Sequence, residues 1–238
     1  MRLISSDALR LVATAVMLAF GLASVHAAPP VVPDTLAQRL VACTVCHGKE
    51  GRATPDGYFP RIAGKPAAYL YNQLLNFRDG RRHFAAMTYL LDHLSDDYLR
   101  DIARHYAGLD LPYPPPATAA PVGEAAARAD ALLQRGDAAR KLPACVQCHG
   151  ETLTGVAPFV PGLLGLPRDY LIGQLGAWRT GHRRAAAPDC MGDIARGLTA
   201  EEISAIAARL ASRPVPADAA PAAKAPGPWP MECGGVTP

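Results

Sequence analysis

The pentapeptide Cys-x-x-Cys-His occurs twice in this chain, and no other feature of the sequence limits the fold as strongly. It stands in the stretches VACTVCHG and PACVQCHG, with the histidines at positions 47 and 149 of 238. Because internal repeats encode repeated structure, the motif predicts two copies of one structural unit. The residues concerned are Cys43, Cys46 and His47 in the first copy and Cys145, Cys148 and His149 in the second.

The repeat continues after the motif. Residues 59–82 align without a gap on residues 160–183, and both segments contain Pro-x-x-x-Gly-x-Pro, then Tyr-Leu-x-x-Gln-Leu, then Arg-x-Gly. Each copy closes with helical periodicity: one segment begins with the capping box of Thr199 and Glu202, the other with Ser95 and acidic residues. No stretch alternates apolar and polar residues as a strand does. The sequence therefore predicts an all-α fold of two tandem small domains.

Composition and the repeat divide the chain further. Residues 1–27 begin with basic residues, continue with an apolar run and end in small residues, which predicts a cleaved secretory signal peptide. A retained membrane anchor is the alternative, but the apolar run at residues 11–25 is shorter than the roughly 20 residues that span a bilayer. The other predicted segments are a first domain (28–111), a proline-rich linker (112–122), a second domain (123–213) and a proline- and alanine-rich tail (214–238).

The charge of the chain limits its partners. Without residues 1–27, basic and acidic residues are nearly equal in number. This balance argues against nucleic-acid binding, which needs a clustered basic excess. We expect no membrane span in the mature chain, while peripheral contact with a membrane stays open.

Paired cysteines serve four kinds of site. A thioredoxin-like motif needs a strand–helix–strand context that this sequence lacks. A zinc site or a disulfide within Cys-x-x-Cys leaves the adjacent histidines without a role. Covalent haem attachment uses the whole motif, because the two thiols add to the haem vinyl groups and the histidine binds the iron. Cysteines three positions apart share a helix face, so both sulfurs reach one porphyrin edge. We predict two covalently attached c-type haems.

Methionine is the common partner of histidine on the iron of electron-carrying cytochromes. Beyond the signal peptide the sequence contains three methionines, of which Met87 and Met191 stand at equivalent positions of the repeat. Met231 lies in the tail, outside the repeat, and ranks below them. We therefore predict that His47 and Met87 bind the iron of the first domain, and that His149 and Met191 bind that of the second.

These motifs resemble the two-haem class I cytochromes c of the cytochrome c4 family, over roughly residues 36–213. The shared features are Cys-x-x-Cys-His-Gly, Pro-x-x-x-Gly, Tyr-Leu-x-x-Gln-Leu, the arginine turn, the methionine and a terminal Ile-Ala helix. The resemblance implies two class I cytochrome c domains, histidine–methionine iron and electron transfer in the periplasm. It also implies that the Pro60 and Pro161 carbonyls accept hydrogen bonds from the motif histidines. Four arginines of the turns either hold haem propionates or form a solvated basic surface: Arg78, Arg82, Arg179 and Arg183.

Two cysteines remain where the chain departs from the family pattern, Cys190 directly before Met191 and Cys233 in the tail. In an oxidising compartment they pair most simply with each other. Such a disulfide would tie the tail over the methionine side of the second haem and stabilise the fold by roughly 4 kcal/mol on a chain-entropy estimate. A mixed disulfide with a partner subunit is the alternative.

Three classes of function remain open to such a chain. A carrier takes electrons singly from a dehydrogenase, alone or as its cytochrome subunit, and passes them to another cytochrome or a terminal oxidase. A dihaem peroxidase needs one iron with an open position, against which the two matching methionines argue. A sensor normally carries an output domain, and none is recognised. We expect a periplasmic electron-transfer protein with redox proteins as partners and no catalytic residues.

Overall fold

The computed structural model of the protein describes residues 34–236, so the predicted signal peptide lies outside the described residues. Of the described residues, 34–38 belong to one compact unit and 39–236 to another. Within the described range no helix is long and apolar enough to cross a bilayer. The α-helices of that range, numbered α1 to α10, span Leu36–Arg39, Val41–His47, Ala67–Arg78, Ala85–Leu91, Asp96–Ala107, Gly123–Gln134, Cys145–His149, Arg168–Thr180, Cys190–Gly197 and Ala200–Ala211. Short 3-10 helices span Lys49–Gly51, Ala138–Arg140 and Gly234–Val236.

Four helices of the first sequence copy recur in the second. α2 and α7 carry the cysteine motifs, α3 and α8 start directly after Pro66 and Pro167, α4 corresponds to α9, and α5 corresponds to α10. Within each copy the helices pack in the same way, α3 on α5 and α8 on α10, and α6 adds a further layer on α10. The mainly helical architecture confirms the predicted all-α fold class.

The terminal helices begin where the sequence predicts. At the start of α5 the Ser95 hydroxyl accepts a hydrogen bond from the Tyr98 N–H. At the start of α10 the Thr199 hydroxyl accepts from the Glu202 N–H at 3.2 Å, and the Glu202 carboxylate accepts from the Thr199 N–H at 3.0 Å. These caps satisfy N–H groups that the first turn of a helix leaves unpaired. Behind the cap of α5, Leu99 is fully enclosed in the core.

A short hairpin departs from the all-α prediction. β1 (Gly155–Val156) pairs antiparallel with β2 (Val160–Pro161), and the tail adds a parallel bridge between Val156 and Ala222. Strands of two residues are too short to show alternation, so no sequence pattern could predict them. Gly155 is required in β1, because its φ is 103° and a Cβ would lie 2.6 Å from the backbone of the opposite strand.

Glu202 fastens α10 to two other elements. Its carboxylate accepts hydrogen bonds from Arg140, at 2.7 Å, and from Arg128 of α6, at 2.8 Å. Both arginines also pair with Asp137. The Arg140 and Arg128 guanidinium groups hold the pKa of Glu202 at about 2, and the same two groups hold the pKa of Asp137 at about 2. One acidic side chain thus joins α6, α10 and the 3-10 helix Ala138–Arg140.

Acid should weaken this junction. Because the folded-state pKa of Glu202 lies below its usual 4.5, the stabilisation is complete above about pH 4.5 and is lost as the pH falls toward 2. We expect Glu202→Gln to lower the free energy of unfolding at pH 7 by up to about 3 kcal/mol, at about 1.36 kcal/mol per pKa unit. Chemical denaturation between pH 7 and pH 3 measures both effects. Glu151→Gln, at an exposed position, is the control, and an unchanged pH slope in Glu202→Gln would contradict the expectation.

Candidate functional site

A continuous cavity of about 760 Å³ lies among the helices of residues 39–236. Its lining is mainly apolar and comes from both sequence copies and from the tail. Every residue that the sequence predicts for haem attachment or iron ligation lines this cavity. These residues are Cys43, Cys46, His47 and Met87 from the first copy, and Cys145, Cys148, His149 and Met191 from the second.

The two motif helices present their cysteines alike. In both α2 and α7 the cysteines stand three positions apart, which places their side chains on one helix face. A glycine with positive φ follows each histidine, 71° at Gly48 and 84° at Gly150. At Gly48 a Cβ would lie 2.3 Å from the carbonyl oxygen of Ala53, so the turn that follows the histidine requires glycine.

The cysteine sulfurs lie in surroundings that disfavour charge. Burial raises the pKa of the Cys43 and Cys148 thiols, and it raises the pKa of Cys145 to about 12. Neutral sulfur, either thiol or thioether, suits such a wall better than the thiolate that zinc requires. Covalent haem attachment, which leaves each sulfur as a neutral thioether, is compatible with this environment.

Both motif histidines are buried and oriented by a proline carbonyl. His47 Nδ1 lies 2.9 Å from the Pro60 oxygen, and His149 Nδ1 lies 2.8 Å from the Pro161 oxygen. Because a carbonyl oxygen only accepts, each Nδ1 carries the proton and each Nε2 keeps a lone pair. Burial lowers the pKa of both imidazoles, which favours the neutral form that binds a metal. The hydrogen bonds that the family resemblance implies are present in both copies.

The methionines occupy matching helices. Met87 lies in α4 and Met191 in α9, and both side chains line the cavity. Met231 of the tail lines the same cavity, which its position outside the repeat did not indicate. Imidazole nitrogen and thioether sulfur are the donors that hold haem iron in electron-carrying cytochromes, so the donor set fits that cofactor.

Two arginines, one from each copy, meet in the wall of the cavity. Arg82 and Arg183 are only 9 % and 4 % exposed, and their backbones form an isolated antiparallel bridge. Arg82 donates to Oε1 of Gln73 at 3.0 Å and to Oε1 of Gln174 at 2.6 Å. Arg183 donates to the same two oxygens, in both cases at 2.9 Å. Each glutamine oxygen therefore accepts from a guanidinium of both copies.

Neither of these guanidinium groups pairs with an acidic side chain of residues 34–236, although both residues line the cavity. Each stacks on a ring instead, with Arg82 at 4.4 Å from the Phe77 centroid and Arg183 at 3.7 Å from the Trp178 centroid. Burial lowers the pKa of Arg183, and the charge of Arg82 adds to that effect. Since buried charges are normally paired, the position fits an anionic group such as a haem carboxylate.

The other two arginines of the turns behave differently. Arg78 donates to Asp96 at 2.8 Å and pairs with Asp79, and Arg179 is exposed to solvent. Neither belongs to the cavity lining. Of the two roles left open for these four arginines, Arg78 and Arg179 fit the solvated surface.

Trp178 supplies a second test of the fit. Its Nε1 is the one buried side-chain nitrogen or oxygen in the described part of the chain that has no hydrogen-bond partner. A buried donor without an acceptor costs about 1–3 kcal/mol. Because Trp178 lines the cavity beneath Arg183, an acceptor on a group held there would satisfy it. The cavity thus combines apolar walls, nitrogen and sulfur donors and partners for carboxylates, which is the set that haem needs.

The tail closes over the second copy and reaches the first. A disulfide joins Cys190 to Cys233, with the Cα atoms 5.1 Å apart. Two residues farther along, the carbonyl oxygen of Gly235 accepts a hydrogen bond from Asn72 Nδ2 of α3 at 3.1 Å. Met231 and the residues around Cys233 line the cavity. The tail is therefore part of the cavity wall and contacts both copies.

Three residues of the site were missed by sequence reasoning: Lys65, Asn72 and Trp178. A signal existed for two of them, because the repeat aligns Lys65 with Leu166 and Trp178 with Phe77. At both positions the copies differ in polarity, which marks a place where the two sites are not equivalent. Asn72 gave no signal, since its partner is in the tail.

Comparison with known proteins gives consistent relatives. The chain is 36 % identical over 193 residues to a protein named thiosulfate dehydrogenase electron acceptor from Thiomonas intermedia, covering 81 % of this chain and 84 % of that protein. It is 33 % identical over 178 residues to cytochrome c4 of Pseudomonas aeruginosa, covering 72 % and 84 %. The crystal structure of reduced recombinant cytochrome c4 from Pseudomonas stutzeri matches with a TM-score of 0.63 and 27 % identity, over 74 % of this chain and 96 % of that chain. No protein-family model matches.

Proposed function

Because this chain belongs to the dihaem cytochrome c4 family, we propose that it accepts electrons from a thiosulfate-oxidising dehydrogenase and passes them to a downstream cytochrome or oxidase. It is an electron-transfer protein with two covalently bound c-type haems. Each haem supplies a reversible one-electron change at its iron. The name of the 36 % identical relative supports the choice of donor.

The protein attaches one haem through Cys43 and Cys46 and the other through Cys145 and Cys148. Its iron ligands are His47 with Met87 in the first copy, and His149 with Met191 in the second. One observation carries this assignment: in both copies a proline carbonyl fixes Nδ1–H of the motif histidine, at 2.9 and 2.8 Å, and leaves Nε2 free to bind. Such outer hydrogen bonds set the ring orientation and the basicity of a metal-bound histidine.

The matching methionines argue against peroxidase-type chemistry. A dihaem peroxidase keeps one iron position free for peroxide, whereas here both copies offer a methionine from an equivalent helix, α4 or α9. With two protein ligands for each iron, the chain moves electrons without binding a substrate at the metal.

Arg82, Arg183 and Trp178 are the side chains that would hold haem carboxylates. The two guanidinium groups are buried and have no acidic partner among the described residues, and the indole Nε1 has no acceptor there. Carboxylates at this point would satisfy all three groups with charge-assisted hydrogen bonds. With such carboxylates bound, these side chains would keep water from the charged groups.

Residues 28–111 and 123–213 are the two haem domains, and residues 112–122 link them. The linker is attached at both sides, because the Pro112 carbonyl accepts from Arg61 at 3.0 Å and the Ala117 N–H donates to the Ala211 oxygen at 2.8 Å. Residues 1–27 export the chain to the periplasm, where its partners are redox proteins. The basic start and the apolar run of these residues support export.

Optical spectra of the matured protein in both oxidation states test the ligand assignment. Two covalent haems per chain, both low-spin and both with a methionine–iron charge-transfer band in the oxidised form, are expected. A high-spin haem, or a band of half the expected intensity, would identify an iron without methionine and favour the peroxidase.

The donor is tested separately. Purified thiosulfate dehydrogenase, given thiosulfate, should reduce the protein at a rate that depends on the concentration of both proteins. Dehydrogenase without thiosulfate is the control. If the dehydrogenase with thiosulfate does not reduce this protein, although its spectrum is normal, thiosulfate oxidation is not the source of its electrons. The assignment as an electron-transfer protein would be unaffected by that result.

Trp178→Phe tests the carboxylate site, because it installs the residue that the first copy carries as Phe77. If Nε1–H donates to a haem carboxylate, the haem-loaded protein loses a charge-assisted hydrogen bond worth about 1.5–3 kcal/mol. We expect a corresponding fall in the free energy of unfolding, measured by denaturant titration. A variant as stable as the wild type, or more stable, would show that the indole nitrogen has no such acceptor.

A further inference from the structure

A buried lysine of the first copy lies beside the histidine of the second. Lys65 is 5 % exposed, and its Nζ donates a hydrogen bond to the Gly162 carbonyl oxygen at 3.1 Å. Gly162 directly follows Pro161, whose carbonyl oxygen accepts from His149 Nδ1 at 2.8 Å. The ammonium group is therefore one peptide unit away from the hydrogen bond that orients His149.

No carboxylate of the described residues pairs with this ammonium group. Its other neighbour is the ring of Tyr113, whose centroid is 5.8 Å from Nζ, and Arg61 stacks on the same ring at 4.0 Å. Burial, with the charge of Arg61, lowers the pKa of Lys65 to about 8. The amine therefore stays protonated at pH 6.5, and its positive charge is balanced by carbonyl and ring dipoles alone.

The two copies differ at this position. The repeat aligns Lys65 with Leu166, an apolar residue in the core of the second copy. Burial is the main cause that lowers the pKa of His149, and the charge of Lys65 contributes to it; at His47 the contributing charge is that of Arg82. The charge of Lys65 thus acts at the histidine of the second copy, whereas the charge of Arg82 acts at that of the first.

We propose that Lys65 raises the reduction potential of the second haem. A fixed positive charge disfavours the oxidised iron, which is the more positive state, and a buried site screens that charge weakly. The inference depends on the proposed assignment of His149 and Met191 as ligands of the second iron.

The test is a spectroelectrochemical titration of the haem-loaded protein at pH 6.5, with each haem identified by the NMR contacts of its methyl groups to residues of one copy. Lys65→Met removes the charge and the hydrogen bond, Lys65→Gln removes the charge and keeps a donor, and Lys65→Arg keeps the charge. We expect Lys65→Met and Lys65→Gln to shift the redox equilibrium of the second haem roughly tenfold toward the oxidised form. This corresponds to a reduction potential lower by about 59 mV for one electron. Lys65→Arg should stay near the wild type, and the first haem should not move.

Several results would overturn the proposal. The proposal fails if Lys65→Met leaves the reduction potential of the second haem unchanged, or if it shifts the potentials of both haems equally. It also fails if the second haem of Lys65→Gln keeps the wild-type potential, because the effect would then come from the hydrogen bond and not from the charge. Lys49→Met, which removes an exposed charge from the first copy, is the matched control. If Lys65→Met fails to load haem, the difference in the second haem's reduction potential between Lys65→Gln and Lys65→Arg decides the question. Failure of the ligand assignment is distinguishable, because the wild-type spectrum would then lack a methionine band.

Discussion

Replacement of Met191 by histidine should lower the reduction potential of one haem by on the order of a few hundred millivolts, within the roughly 0.8 V range that axial ligands span. Methionine stabilises the reduced iron relative to a second histidine, so its loss favours the oxidised state. Met87→His should lower the potential of the other haem to a similar extent. In each variant half of the methionine–iron charge-transfer intensity should vanish, and in the double variant all of it. Redox titration with optical detection measures both quantities.

The tail methionine provides the control for this pair. Met231 lines the same cavity but is not an assigned ligand. We therefore expect Met231→Leu to leave both reduction potentials and the charge-transfer intensity unchanged. If Met231→Leu removed half of the intensity and Met191→His removed none, Met231 would be the ligand of the second iron. The assignment from the repeat would then be wrong for that copy.

Removal of the disulfide should be the largest change in stability. Cys190 and Cys233 are 43 positions apart, and the chain-entropy relation gives about 4 kcal/mol for closing a loop of that size. We expect the variant with both Cys190→Ser and Cys233→Ser to lose up to that amount in the free energy of unfolding. Since Met191 follows Cys190 directly, its charge-transfer band should also become more sensitive to temperature than that of Met87. Denaturant titration and a temperature series of spectra measure these effects.

A double serine variant is preferable to chemical reduction, because a thiol reductant would also reduce the haems. Asn72→Ala serves as the comparison, since it removes the hydrogen bond to Gly235 and keeps the disulfide. We expect it to cost only about 1 kcal/mol. Two free thiols per oxidised chain, counted under denaturing conditions, would contradict the disulfide, whereas a second chain that stays covalently attached until a reductant is added would show a mixed disulfide with a partner subunit.

Local sequence patterns were sufficient for the parts of the site that each copy builds by itself. The motif cysteines, the motif histidines and the terminal helices each lie within one repeat, where helical period, caps and spacing determine the arrangement, whereas the two proline carbonyls were implied by the family resemblance. The capping box at Thr199 is an example, because both of its hydrogen bonds are formed by residues three positions apart.

Features formed between the copies could not be predicted in that way. The meeting of Arg82 with Arg183 depends on how the two copies are arranged, and Lys65 reaches Gly162 across a separation of 97 positions. Neither contact has a period or a local signature. The course of the tail is similar, since its bridge to Val156 and its contact with Asn72 depend on backbone groups that every residue possesses.

The network of Gln73, Gln174, Arg82 and Arg183 joins the two copies through shared hydrogen bonds. Gln73 accepts a hydrogen bond from Arg183, 110 positions away, as well as from its own copy's Arg82. Residues that share partners in this way have non-additive energetic effects, so changes at Gln73 and Gln174 should be coupled. Removal of either copy would take away one of the two glutamine oxygens to which the arginine of the other copy donates. The two copies thus share one buried hydrogen-bond network that neither of them forms alone.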